Sequence, residues 1–272
     1  MEKTTKKIFV VGLIGIGIAI VILAMNANAI VTPSEVWVDD DFDSSTPGWG
    51  YDHFDTIQKG VDNVSAGGIV HVWNGTYNEN VDVGKTVSII GNNSASCIVQ
   101  ASQNDHVFHI TANWVNISGL TVKGAGIIYA GIYIDHAEHC NISHINASNN
   151  IYGIYLDNSD NNTIINSTAF FNDYHGIYLV HSDYNTLIKN NCSHNDEGIY
   201  LYSSNHNVLK NNTAMENNYW DVNIYLASYN IIENNIGSGN RPIAYYDSTV
   251  NIANATFSEL ILWNADYSVI KN

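Results

Sequence analysis

Five tyrosines recur at one place in a repeated tetrapeptide. Gly131-Ile132-Tyr133-Ile134 returns as Gly153-Ile154-Tyr155-Leu156, Gly176-Ile177-Tyr178-Leu179 and Gly198-Ile199-Tyr200-Leu201, with a degenerate copy at Asn223-Ile224-Tyr225-Leu226. Side chains alternate across an extended strand, so Tyr155 faces out if Ile154 and Leu156 face in. Tyr133, Tyr155, Tyr178, Tyr200 and Tyr225 are then expected in one line on an outer face. Aromatic ring faces suit the C–H faces of pyranose sugars, which makes such a line a platform for a sugar chain. The same rings can instead pair with one another and stabilise adjacent parallel strands. The two roles are compatible.

Acidic residues recur in the same way. Glu138, Asp160 and Asp183 share one turn position, followed by Asn205, while Asp135 and Asp157 share another. Stacked carboxylates repel, and a hard cation such as calcium would relieve the repulsion; a solvated polar turn is the alternative. The run Asp39-Asp40-Asp41 has the same two readings. His136 and His139 lie beside Asp135 and Cys140, but His181 falls two repeats on, about 9.6 Å away at ~4.8 Å per strand step, too far to share an ion. Cys97, Cys140 and Cys192 fall at different points of the repeat and read as small buried hydrophobes. Asn-x-Ser/Thr occurs repeatedly, for example at Asn63, Asn74, Asn141, Asn166, Asn191, Asn211 and Asn254, where exported proteins can carry glycans.

Composition narrows the function classes. Of 272 residues only 13% are charged, and Lys plus Arg number 10 against 26 Asp plus Glu. That balance cannot build the basic face a nucleic-acid binder needs. Hydrophobic content of 45% excludes a disordered acidic tail. Residues 1–29 read as a secretory signal: Lys3, Lys6 and Lys7 precede an apolar run from Ile8 to Met25, and Ala27-Asn28-Ala29 resembles a cleavage site. An uncleaved membrane anchor is the alternative and would be the one contact with a membrane.

The elements that must position these side chains follow from the period. The tetrapeptide steps are 22, 23, 22 and 25 residues. Inside each repeat, polar residues are five apart: Asn162, Ser167 and Asn172; Asn185, Asn190 and Asn195; Asn207, Asn212 and Asn217; Asn230, Asn235 and Asn240. A coil of about 22 residues with three strands and three turns would stack these into inward columns whose amides satisfy one another. The expected fold is all-β, a right-handed parallel β-helix over 69–272, after a strand and capping helix in 30–68. Phe54, Ile57, Val61 and Val64 fall on one face of that helix, with Asp52 as N-cap. Leu262 to Asn272 matches Leu201 to Asn211, so the chain is expected to stop within a coil, with further domains after Asn272 or a partner over the edge.

Residues 131–240 resemble the NosD-type β-helix repeats of secreted prokaryotic proteins, in the pectate-lyase-like superfamily. The pattern is Gly-Ile-Tyr-Leu, then Ser159 and Asn162-Thr163-Ile164, with counterparts at Ser182 and Asn185-Thr186-Leu187. Residues 54–91 resemble the cap and first coil of that superfamily, through Phe54-Asp55-Thr56-Ile57-Gln58, Gly75-Thr76-Tyr77-Asn78-Glu79-Asn80-Val81 and Ile89-Ile90-Gly91. The resemblance implies the fold, which hosts lyases, hydrolases, esterases, adhesins and stalks. The catalytic motifs of pectin methylesterases, polygalacturonases and pectate lyases have no counterpart here, and the single Arg241 adjoins Pro242. No catalytic residue and no required cofactor are assigned. The reading is an exported cell-surface module that binds or displays a polysaccharide or surface glycan without catalysis. A polysaccharide lyase or glycoside hydrolase, and a stalk or adhesin segment of a longer protein, are the alternatives.

Overall fold

The structure is a computed structural model that describes residues 32–271; the proposed leader 1–29 lies outside the described residues. Short strands wind into a parallel β-solenoid of about 7 turns, with about 23 residues per turn. Each central coil contributes one strand to each of three sheets. In one coil these are Thr163–Ile165 in sheet A, Thr168–Phe170 in sheet B and His175–Val180 in sheet C. Sheet A has ten strands, sheet B five and sheet C seven. Among the described residues, no helix is long and apolar enough to cross a membrane.

Alternation fills the tube as the sequence pattern requires. Ile154, Leu156, Ile177, Leu179, Ile199 and Leu201 are fully buried, joined by Ile164, Leu187 and Leu209 from sheet A. The three cysteines are free and buried. The glycine of the tetrapeptide marks a corner where the backbones of successive coils come close. A Cβ on Gly176 would sit 2.6 Å from the Gly198 carbonyl oxygen and 2.9 Å from the Asn195 amide nitrogen.

The inward polar columns run through the turns, and the main chain is their chief partner. The Asn162 N–H donates to Asn185 Oδ1, Asn185 N–H to Asn207 Oδ1, and Asn207 N–H to Asn230 Oδ1, each at 2.7 Å. In the second column Asn190 N–H donates to Asn212 Oδ1 at 2.9 Å and Asn212 N–H to Asn235 Oδ1 at 2.8 Å. The third runs from Asn150 through Asn172 and Asn195 to Asn217. The amide nitrogens point back, as Asn207 Nδ2 does to the Ser182 carbonyl at 3.1 Å. Direct amide-to-amide bonds, such as Asn212 Nδ2 to Asn235 Oδ1 at 3.0 Å, come second. Ser159, Ser182 and Ser204 form a further column in which each N–H donates to the next hydroxyl at 3.0 Å.

Three expectations are corrected. The helix spans Ile57–Asn63 and its N-cap is Thr56, not Asp52: the Thr56 hydroxyl accepts from Lys59 N–H. Phe54 instead belongs to the short strand His53–Phe54. The Glu79 carboxylate accepts the free Ile57 and Gln58 N–H groups at 2.8 and 3.0 Å, as helix starts require. Asn240 does not extend the third column; it lies at φ 56 in the turn between Ile236–Gly237 and Arg241–Tyr246, which pair antiparallel. After Asn235 the coil pattern changes, and residues 236–271 form a three-stranded and a two-stranded sheet that join the coils through the parallel Thr213–Ile236 bridge.

Asn207→Ala leaves the Asn185 N–H and the Ser182 carbonyl unpartnered, so it is expected to cost about 2–4 kcal/mol. The outward Asn141→Thr, which copies Thr163 in the next coil, should change stability by less than about 0.5 kcal/mol. Equilibrium urea unfolding of the two variants checks the contrast.

Candidate functional site: the outward face of sheet C

Strand register turns a sequence period into surface columns. Down the centre of sheet C, Asp82, His109, Tyr133, Tyr155, Tyr178, Tyr200 and Asn223 stand one above another. Tyr152, His175, Glu197 and Trp220 form a column on one side. Asp135, Asp157, Val180, Tyr202 and Tyr225 form one on the other. Tyr225 is therefore not in the central line. Ile224 pairs with Leu201, which places Asn223 opposite Tyr200 and Tyr225 opposite Tyr202. The Asn207-to-Asn230 step fixes that register, and the tetrapeptide copy at Asn223 is offset from it by two residues.

The four central tyrosines form a ring ladder. Centroids are 5.0 Å apart for Tyr133–Tyr155 and Tyr155–Tyr178 and 5.1 Å for Tyr178–Tyr200, and the last two pairs lie within 17° and 11° of parallel. Ring faces are thus turned largely on one another. Solvent meets edges, parts of faces and hydroxyls. Burial pushes the Tyr133, Tyr155 and Tyr178 phenols well above their ordinary range, so they remain hydrogen-bond donors at any physiological pH. Below the ladder His106 stacks on Tyr133 at 4.3 Å, and His109 at 5.2 Å.

The carboxylates proposed for calcium have protein partners. Asp160 Oδ1 accepts the Asp183 N–H at 2.7 Å and Asp183 Oδ1 accepts the Asn205 N–H at 2.6 Å. This turn column is a further main-chain ladder. Asp135 meets His136 Nδ1 at 2.5 Å and His109 Nε2 at 3.3 Å. Burial raises the Asp135 pKa, but the two histidines outweigh it and the net shift is downward. Asp157 accepts from the Tyr133 hydroxyl at 3.3 Å. Glu138 lies 3.8 Å from His139. Asp39 and Asp40 accept the N–H groups of Asp41 and Thr76.

Sequence reasoning missed His175 and Glu197. Their Nδ1 and Oε2 are 3.4 Å apart, and both atoms are buried with no hydrogen bond. Burial drives His175 down to about 4, so its imidazole is neutral at physiological pH, and pushes the Glu197 carboxyl upward. The readable signal was position: both precede the repeated glycine, where Tyr152 stands one coil earlier. A second stack, Tyr184–His206–Tyr229, follows the turn after sheet C at 4.9 and 5.0 Å, within 2° and 9° of parallel. Its spacing in the sequence is the same repeat.

His106 ties this face to pH. Its Nδ1 accepts the Ala130 N–H at 2.9 Å, at the start of the strand that carries Tyr133. Burial, then the neighbouring His109, holds its pKa at about 4, below the ordinary 6.5. The unfolded chain therefore takes up this proton first, and stability falls as pH drops from 6.5 towards about 4. His106→Gln should flatten that fall by up to about 1.4 kcal/mol per pH unit, one proton's share. Urea midpoints of both proteins at pH 7.5, 5.5 and 4.5 check it.

Solved structures similar to this chain share the fold. Pectate lyase Pel9A aligns with a TM-score of 0.58 and 16% identity, over 85% of this chain and 68% of that one. A rhamnogalacturonan lyase aligns at 0.57 and 15%, over 84% and 72%. The catalytic domain of a GH87 α-1,3-glucanase in complex with nigerose aligns at 0.61 and 16%, over 85% of this chain but 45% of its own. Among curated proteins none matches the sequence. The sequence profile of a family described as periplasmic copper-binding protein (NosD) matches residues 61–270. Copper asks for converging imidazole, thiolate or thioether ligands, and among the described residues no group of three His, Cys, Asp or Glu is placed to hold a metal. Cys97, Cys140 and Cys192 are buried, while His106 and His109 already use ring nitrogens on Ala130 and Asp135. The described residues thus do not fit a copper site, but the match spans most of the coils, and this chain belongs to the NosD family.

Proposed function

We propose that this protein is an exported β-helix that binds a polysaccharide along the outward face of sheet C without cleaving it. The central observation is the column of protonated phenols, Tyr133 to Tyr200, flanked by carboxylates at Asp135 and Asp157 and by His175 and Glu197. A row of fixed donors beside fixed acceptors suits a polyhydroxyl chain. The similar solved structures include two polysaccharide lyases and a glucanase bound to nigerose, which supports a glycan partner. The sheet C columns contain no Lys or Arg, so a neutral chain is favoured over a polyuronate. Export rests on residues 1–29 and on the periplasmic description of the family.

A second reading, cleavage of the bound chain, has one observation in its favour. His175 and Glu197 bring an imidazole and a carboxyl group together on the same face. Reducing-end release from neutral polysaccharides, lost in Glu197→Gln, would establish it.

The binding reading is tested with the triple variant Tyr155→Phe, Tyr178→Phe, Tyr200→Phe, which keeps the ring ladder and deletes the hydroxyls. Three hydrogen bonds at about 0.5–1.5 kcal/mol each amount to roughly tenfold or more in affinity. Affinity electrophoresis through gels containing neutral polysaccharides should show retention by the wild type and its loss in the variant. Equal retention would retire this face as the binding site.

A further inference from the structure

A groove separate from the tyrosine face crosses the molecule on sheet B. It starts at the corner between sheets A and B, in a cleft of about 370 Å³ lined by Asn92, Ser94 and His144. Ser94 and His144 also line the next cleft, about 290 Å³, with Asn146, Thr168 and Phe170. Thr168 and Phe170 in turn line the third, about 460 Å³, which ends at Phe171, His194 and Met215. Shared walls make the three clefts one path. It crosses six successive coils, in five steps, at Asn92, Gly119, His144, Asn166, Asn191 and Met215. At about 4.8 Å per step the path is roughly 24 Å long.

Its chemistry changes along its length. The first part presents amides and hydroxyls. The last part is mostly apolar, with Phe170 set edge-on to Phe171 at 5.0 Å and Phe171 stacked on His194 at 5.1 Å. No Lys or Arg lines any of the three clefts, and the one carboxylate, Glu216, faces His194 at 3.5 Å.

Two further observations bear on this groove. Asn146 Oδ1 is buried without a hydrogen-bond partner in the protein, and an unsatisfied buried acceptor costs about 1–3 kcal/mol. A turn of the amide would offer that oxygen to a donor in the groove. Phe171 stands 54% exposed at the apolar end of the groove. Its turn is left-handed, φ 54, like the equivalent turns at Asn149, His194 and Glu216, so an asparagine in its place keeps the backbone.

We infer that this groove is a second, independent binding site for an uncharged oligosaccharide, with hydroxyls meeting the Asn and Ser end and a sugar face meeting Phe170 and Phe171. Charge selects the ligand class: an uncharged chain needs no counter-charge from the walls, whereas a polyanion would find no cation there.

The test is titration calorimetry with cellohexaose, maltohexaose and laminarihexaose, with hexagalacturonate as the charged probe. The protein is produced in a bacterial host that leaves Asn166 and Asn191, at the groove's edge, unglycosylated. Measurements are made in the background of the triple Tyr-to-Phe variant, so that the sheet C face cannot stand in for the groove. At least one neutral hexaose should bind in that background, Phe171→Asn should weaken it tenfold or more, and hexagalacturonate should not bind. Asn is at home in this turn, so the variant should fold. Hydrogen exchange on the unsubstituted protein gives a readout without mutation: the bound hexaose should protect residues 166–171 and 191–194. Absence of binding by every neutral hexaose, an unchanged affinity in Phe171→Asn, or protection confined to sheet C would overturn the inference. Its failure would leave the sheet C reading standing, and the reverse also holds.

Discussion

A turn inside a parallel coil points main-chain N–H groups at the core, where no strand can accept them. In this protein a side-chain oxygen from the following coil accepts each of them along the Asn and Ser columns. A buried donor left unmade costs about 1–3 kcal/mol, so these columns are a condition for the coils to stack at all. They also set register. Each side chain grips the main chain of its neighbouring coil, and a one-residue slip would break every column together and turn the strand faces inside out. The outward columns exist because the inward ones permit a single alignment.

That alignment decides what the tyrosines can do. Stacked at the coil repeat, their rings spend much of their faces on each other, and each such pair adds about 0.5–1.5 kcal/mol. A ligand meets hydroxyls and edges, which shifts the chemistry from ring–sugar stacking to hydrogen bonding. The acidic turn column is diverted in the same way. Asp160 and Asp183 accept main-chain N–H groups of the next coil, and Asn205 continues the pattern by accepting the Ser228 N–H. An amide can replace a carboxylate there because acceptance, not charge, is what the position requires.

The legible part of the fold was whatever repeats. Steps of 22 and 23 residues and the five-residue spacing of Asn162, Ser167 and Asn172 were enough to place three strands, three turns and the inward side chains. The local likeness of Asn223-Ile224-Tyr225-Leu226 to the tetrapeptide misplaces Tyr225, and the Asn columns place it. Asn207 and Asn230 are 23 apart, which already puts Tyr225 opposite Tyr202. Asp52 lies too far from the first helical turn to cap it, and Thr56, directly before Ile57, is the residue whose hydroxyl reaches Lys59. His175 and Glu197 were not legible as a pair, since their contact depends on a bend before the glycine that brings both onto the outer face. The sheet B groove has no sequence signature either. It depends on how tall Phe170, Phe171 and Met215 stand beside the shorter Asn191 and Ser193, and on the angle between two sheets.

The same ladders bear on affinity. Association loses free energy when side chains and loops must be ordered, about 0.5–1.5 kcal/mol for each immobilised flexible side chain. Here the tyrosines are held by their neighbours above and below, and the turns behind them by the buried amides. The groove is lined mainly by short or ring side chains with few torsions to lose. Surfaces built this way can retain a long, weakly interacting chain through many modest contacts, because little of each contact's free energy goes into ordering the protein. The cost falls on adaptability. A coil cannot shift to follow a ligand without breaking the columns beneath it, so at the proposed sites selectivity would have to come from which side chains top each column, and Tyr133, His175, Glu197 and Phe171 are positions where the coils differ.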